Sequence, residues 1–192
     1  MALADRFGEW LAKLAGRPVE VHHLRGFRVV LENTRPDISS ADVLGRLDES
    51  LAMVEQYQPW RLRHLRRDLL AIRVQRFPCR GAYFRGERVC MVELTFLARR
   101  DIGPETVAST IVHEGMHARC DLFCEPGVAR DAAREERICR RAELDFGLAL
   151  PAGIGAPVVE RARASLALGD QDVAPDVDWN EAMRRVADMD RR

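Results

Sequence analysis

An α+β fold, with a twisted, partly antiparallel sheet beside two consecutive helices, is the architecture this sequence predicts. Three observations carry it. Short runs rich in β-branched and aromatic residues occur over 19–31 and again over 70–94, with glycine-bearing turns between them. Apolar residues then recur at helical spacing through 104–117 and 130–146. Hydrophobic residues make up 47% of the 192 positions, enough to bury one sizeable core.

Taken in order, the elements are these. Leu3, Phe7, Trp10, Leu11 and Leu14 give helical spacing over 2–15, and Gly16 and Pro18 end that helix. Residues 19–23 and 27–31 read as two strands joined at Arg25-Gly26. Ser39 or Ser40 caps a helix running to about Gln56, with Val43, Leu44, Leu47, Leu51 and Val54 inward, and Pro59 breaks it. Residues 70–77, 81–84 and 88–94 read as strands, the last two joined by a turn at 85–87. Pro104 fits the first turn of a helix, where its missing N–H costs nothing, and Glu105 suits the positive end of the helix dipole. A second helix spans 130–146. The stretch 151–157, rich in glycine and proline, reads as a loop, followed by a helix over 158–168, a polar linker over 169–178 and a last helix over 180–189. The organisation expected is residues 1–58 packing on a core at 59–151, with 152–192 as a helical appendage, together one compact domain.

Composition narrows the function. The formal charge is zero, so no overall field draws the chain to nucleic acid, and no nucleic-acid partner is expected despite the arginines at 61–67. No apolar run approaches a membrane span, and the N-terminus lacks the basic start and apolar stretch of a signal peptide. A cytoplasmic protein with reduced thiols is expected, and its five cysteines, an odd number, agree. Cys120 and Cys124, four apart, read as small buried thiols. Nothing in the sequence fixes the oligomeric state.

The chemistry sits in His113-Glu114-Gly115-Met116-His117. On a helix, residues four apart share a face, so both imidazoles can address one metal ion. Val107, Ala108, Ile111, Val112 and Met116 form the apolar stripe of this helix, and the two histidines lie at its edge. Glu114 falls beside the open position of such an ion, where it can take a proton from water. A catalytic zinc needs a third protein ligand. On the following helix, Ala132, Ile138, Cys139, Ala142 and Phe146 form one face, and Glu135 lies near its centre. Glu136 is about 100° away, toward an arginine-rich side. A buried carboxylate needs a partner, so Glu135 is the favoured third ligand and Glu136 the alternative.

These residues resemble the zincin metallopeptidases of the gluzincin type, over roughly residues 71–151. That type carries H-E-x-x-H on one helix and a glutamate ligand on the next. Counted from His117, Glu136 falls at the spacing of the aminopeptidases of this group, and Glu135 one residue earlier. The acidic residue usual four positions after the ligand glutamate is missing: Cys139 or Arg140 stands there. There is no third-histidine motif and no methionine turn of the metzincin type. The resemblance implies a Zn²⁺ cofactor, a peptide or protein substrate, an edge strand that binds substrate backbone, and zinc-dependent hydrolysis with Glu114 as base. An oxyanion donor is also required, and Tyr83 and Arg80 are candidates by their place before the helix. The alternative is a binding or regulatory protein that keeps the scaffold and the metal without turnover.

Overall fold

The computed structural model describes residues 19–123, 131–175 and 178–190, so the helix expected over 2–15 and Cys124 lie outside the described residues. Strands β1 (Val19–Leu24) and β2 (Phe27–Glu32) form a hairpin. Its turn residues Arg25 and Gly26 both have positive φ, 47° and 81°, the conformation that matches the twist of a two-residue hairpin. Helix α1 (Ser40–Tyr57) follows, with the Ser39 hydroxyl accepting from the Asp42 amide at 3.2 Å. Pro59 ends α1 and also opens α2 (Pro59–Asp68), where it stands in the first turn. Then come β3 (Ala71–Gln75), β4 (Gly81–Phe84), a 3-10 turn at Arg85–Glu87, and β5 (Val89–Glu93). The expected strand through Leu94 stops one residue early. The Glu93 carboxylate caps a short helix α3 (Leu94–Ala98) by accepting from the Phe96 amide at 2.6 Å.

Two long helices follow: α4 (Pro104–Phe123) and α5 (Ala132–Ala149), the latter capped by Asp131. The glycine- and proline-rich stretch expected as a loop is instead the start of α6 (Ala152–Leu166). Pro157 lies inside it and forfeits a single backbone bond near the helix start. The glycines serve packing: a Cβ on Gly155 would meet the Gly147 carbonyl of α5 at 2.1 Å, so only a bare backbone lets α5 and α6 cross this closely. The expected linker contains a short helix α7 (Asp170–Val173), held by buried Val173, and α8 (Trp179–Asp190) closes the described chain.

The sheet is mixed, in the order β1-β2-β3-β5-β4. The central strands β2, β3 and β5 run parallel, and β1 and β4 are antiparallel edges. Register places Leu31, Val74, Val92 and Gly81 in one row across the sheet. The first three are buried in the same core as Leu47 and Leu51 of α1, Leu62 and Leu65 of α2, and Val107 and Ile111 of α4. Gly81 ends the row where α4 approaches: a Cβ there would lie 2.5 Å from Thr110 and 3.1 Å from a Glu114 oxygen. Gly115 has the same role on the other side of α4, since its Cβ would lie 1.9 Å from a Leu65 methyl. The helix is thus seated between α2 and the edge strand by two glycines, and this fixes the direction in which Glu114 points. Among the described residues no helix is long and apolar enough to cross a membrane.

Candidate metal centre

His113 and His117 stand on one face of α4 with their Nε2 atoms 3.1 Å apart. Both are turned toward α5, which answers with three glutamates. The Glu143 carboxylate accepts from His113 Nδ1 at 2.6 Å, and the Glu135 carboxylate accepts from His117 Nδ1 at 2.8 Å. With Nδ1 engaged, each ring turns its Nε2 inward. In the protonated rings Nε2–H faces the Glu136 carboxylate. Its Oε1 is 3.1 Å from His117 Nε2 and its Oε2 is 3.3 Å from His113 Nε2. Oε2 is buried and makes no well-formed hydrogen bond.

The two glutamates weighed in the sequence therefore have different surroundings. Glu135 is buried, as its place on the apolar face implied, but its carboxylate lies on the outer nitrogen of His117 and on Arg85, at 2.7 Å. Glu136 keeps one long approach from the arginine side, Arg140 Nε at 3.9 Å from its Oε2. Its carboxylate reaches back to both imidazoles, with its side chain only 21% exposed. The physical reason is side-chain length: a helical position fixes the Cβ direction, while a glutamate end can swing several ångströms from it.

Glu143 was not singled out by sequence reasoning. It lies seven residues after Glu136, two helical turns along the same face, where the expected spacing was four. Only 2% exposed, it also accepts from Arg140 at 2.6 Å and from Arg161 of α6 at 3.3 Å. Arg161 in turn donates to the Ser109 hydroxyl, so a polar chain runs from α6 to the first histidine. The one signal in the sequence was an acidic residue between Ala142 and Phe146 on a face otherwise apolar.

The charges couple strongly. Burial opposes protonation of His117, but hydrogen bonds to Glu135 and Glu136 outweigh it and lift its pKa to about 10. His113 is likewise raised, with Glu136 and Glu143 overcoming burial. Burial would raise Glu136, yet its contacts with the two histidines hold it well below the usual carboxylate range. Glu114 behaves oppositely: burial pushes it up, and only the through-space pull of His113 and His117 opposes that.

Glu114 borders a cleft of about 360 Å³ with His113, Thr110, Arg80, Arg140 and Arg161. Arg80 is exposed on the cleft wall, its guanidinium 5.5 Å over the Phe96 ring. Tyr83 sits on edge strand β4, and its hydroxyl donates to Asp121 at 3.1 Å. Cys139, buried on α5, offers a further donor: its sulfur and the histidine nitrogens all lie within 4.8 Å of one another. The neighbouring Cys139 thiol draws the half-buried Cys120 thiol down to about 7.

Compared with known protein families, curated proteins and solved structures, the chain matches none.

Proposed function

We propose that the chain is a zinc-dependent peptidase of the gluzincin kind, with His113, His117 and Glu136 as the metal ligands and Glu114 as general base. The observation that carries this is the meeting of the Glu136 carboxylate with both imidazole Nε2 atoms at 3.1 and 3.3 Å. The contacts run Nε2 to Nε2 at 3.1 Å, Oε1 to His117 Nε2 at 3.1 Å and Oε2 to His113 Nε2 at 3.3 Å, so each imidazole meets its own oxygen of one carboxylate, at separations close to those of neighbouring ligands on one zinc ion, about 3.3–3.4 Å. The buried Glu136 Oε2 that makes no sound hydrogen bond is the atom such an ion would satisfy. Glu136 is preferred to Cys139 because it reaches both Nε2 atoms and is held ionised, whereas hydrogen bonding to Cys120 and burial push the Cys139 thiol up.

Zinc, when bound, supplies Lewis-acid polarisation of the scissile carbonyl and of a water. The chain supplies the rest. Glu135 and Glu143 lock the two imidazoles in the tautomer that presents Nε2. Glu114 faces the cleft with a pKa raised by burial, which makes it a stronger base for water and a competent acid toward the leaving amine. Arg80, Arg140 and Arg161 are cations on the cleft wall, and Tyr83 becomes available to an oxyanion only by leaving Asp121. The edge strand β4, beside Glu114 at Gly81, offers backbone groups to an extended peptide.

Protein purified without chelator is expected to carry about one zinc per chain and to cleave members of an unbiased peptide library, with cleavage lost on chelation and restored by zinc. Elemental analysis and mass spectrometry of the library read the two arms. No zinc, with none taken up at micromolar metal, overturns the proposal; zinc without cleavage leaves a metal-holding protein that is not a peptidase.

Zinc uptake is also expected to release protons. An imidazole must be deprotonated at Nε2 to bind, and at pH 7 the metal-free His117, with its pKa at about 10, carries a proton. Affinity therefore rises with pH between about 7 and 10. The same shift has the opposite sign for the metal-free fold: the ion pair's stabilisation is complete below the ordinary histidine pKa and is lost as pH rises through about 10. Calorimetric titration in buffers of different ionisation enthalpy measures the protons released, and zero release at pH 7 contradicts the charge state described.

A further inference from the structure

The cleft that Glu114 borders is lined by three arginines from separate parts of the chain: Arg80 just before β4, Arg140 on α5 and Arg161 on α6. Arg140 and Arg161 share one buried carboxylate, Glu143, at 2.6 and 3.3 Å. Arg140 engages it through Nη1 and Arg161 through Nη2, which also donates to Ser109. The other terminal nitrogen of each guanidinium makes no hydrogen bond among the described residues. Arg80 makes no ion pair among the described residues. It stands exposed at the rim, between this cleft and the hollow over Phe96. Three guanidiniums thus face two lining carboxylates, Glu114 and Glu143, and the arginine without a counter-charge is the one most open to solvent.

The backbone fixes where that cation stands. The Arg80 carbonyl accepts from the Glu93 amide at 2.9 Å, which carries the pairing of β4 with β5 one residue past Gly81. Gly81 is the residue whose Cβ would lie 3.1 Å from a Glu114 oxygen. A peptide laid along β4 therefore passes Arg80 beside the proposed base.

We propose that Arg80, with the unengaged ends of Arg140 and Arg161, is a carboxylate subsite, and that the cleft takes peptides carrying a carboxylate within about two residues of the scissile bond. The planar guanidinium fork matches an Asp or Glu side chain and a free C-terminus alike. A charge-assisted hydrogen bond of this kind distinguishes an acid from its amide by about 10–100-fold. The preference in cleavage rests on the peptidase reading above; carboxylate binding does not.

The test uses matched short peptides, drawn from the library substrates or from an alanine frame if the library gives none. One position at a time carries Asp or Asn, and each peptide has a free or an amidated C-terminus. The zinc-loaded full chain gives kcat/KM, and calorimetry on zinc-loaded Glu114→Gln gives Kd without turnover. Expected in both is a preference for acid over amide of about 10–100-fold, and the amidated set tells side chain from terminus as its source. Arg80→Gln is expected to lower that ratio at least about fivefold, and Arg80→Glu to bring it to about one or below. Arg140 and Arg161 are left intact, because they also hold Glu143. The absence of any acid preference, or a preference that survives both Arg80 variants, overturns the subsite. So does an equal fall for acid and amide peptides in Arg80→Gln, the signature of an oxyanion donor. Acid-selective, Arg80-dependent binding without cleavage leaves the subsite standing and overturns the peptidase reading, while cleavage without acid preference does the reverse.

Discussion

Glu136→Ala is expected to abolish tight zinc binding, while Glu135→Ala lowers affinity by about 10–100-fold and leaves a site that still fills at higher metal. The two carboxylates are neighbours in sequence but sit on different atoms. Glu136 lies against Nε2 of both histidines, the proposed coordinating atoms, so its removal would delete one proposed ligand and leave two. Glu135 holds Nδ1 of His117, so its removal frees the ring to turn and lets the wrong tautomer compete, with the donor atom still present. Arg85 loses its partner in the same variant, which adds a small destabilisation at a half-exposed pair. Competition with a chelating dye ranks the two affinities. The reverse order would make Glu135 the ligand after a rotation of α5, and negligible effects from both would turn the search to Cys139.

Glu114→Gln is expected to keep zinc at full occupancy and to lose peptide turnover by about 10²–10⁴-fold. The amide has the same shape, so the close approach of this side chain to Gly81 survives. What disappears is a basic oxygen at the cleft. Because burial already disfavours the charge on Glu114, the neutral amide is tolerated structurally and the variant is expected to be no less stable than the parent. His113→Ala, by contrast, loses metal and turnover together, which separates a vacant site from one that holds zinc without a base. Measured zinc content beside kcat on a verified peptide makes the distinction. Full turnover by Glu114→Gln would exclude this residue as the base.

The readable part of this site was the part written locally. His113, Glu114 and His117 lie within five residues of one helix, so spacing alone put them on one face, and Pro104 and Glu105 marked where that helix begins. The α+β class and the strands followed from short apolar runs and their turns, and all five strands fall within about two residues of the expected bounds. Choices that depend on a second element were harder to read. A helical wheel correctly buried Glu135, but it cannot tell which nitrogen of a ring on another helix a flexible carboxylate meets. Glu143 stayed hidden because the search for a partner to the first histidine looked one turn past the ligand, where Arg140 stands, and the structure uses two turns. The 151–157 stretch misled because glycine signals both a turn and a close helix crossing, and only Gly147 on the facing helix tells them apart.

Arg161 carries a consequence for where this molecule can be cut. The zincin resemblance expected from the sequence is bounded near Pro151, which invites an excised unit ending there. Yet Arg161 lies ten residues further on, and its guanidinium braces Glu143 and Ser109 behind the first histidine. A fragment stopping at the end of α5 would retain every proposed ligand while leaving Glu143, almost wholly shielded from water, with one arginine instead of two. The smallest portable version of the proposed centre therefore runs through Leu166, because α6 supplies the second arginine on Glu143.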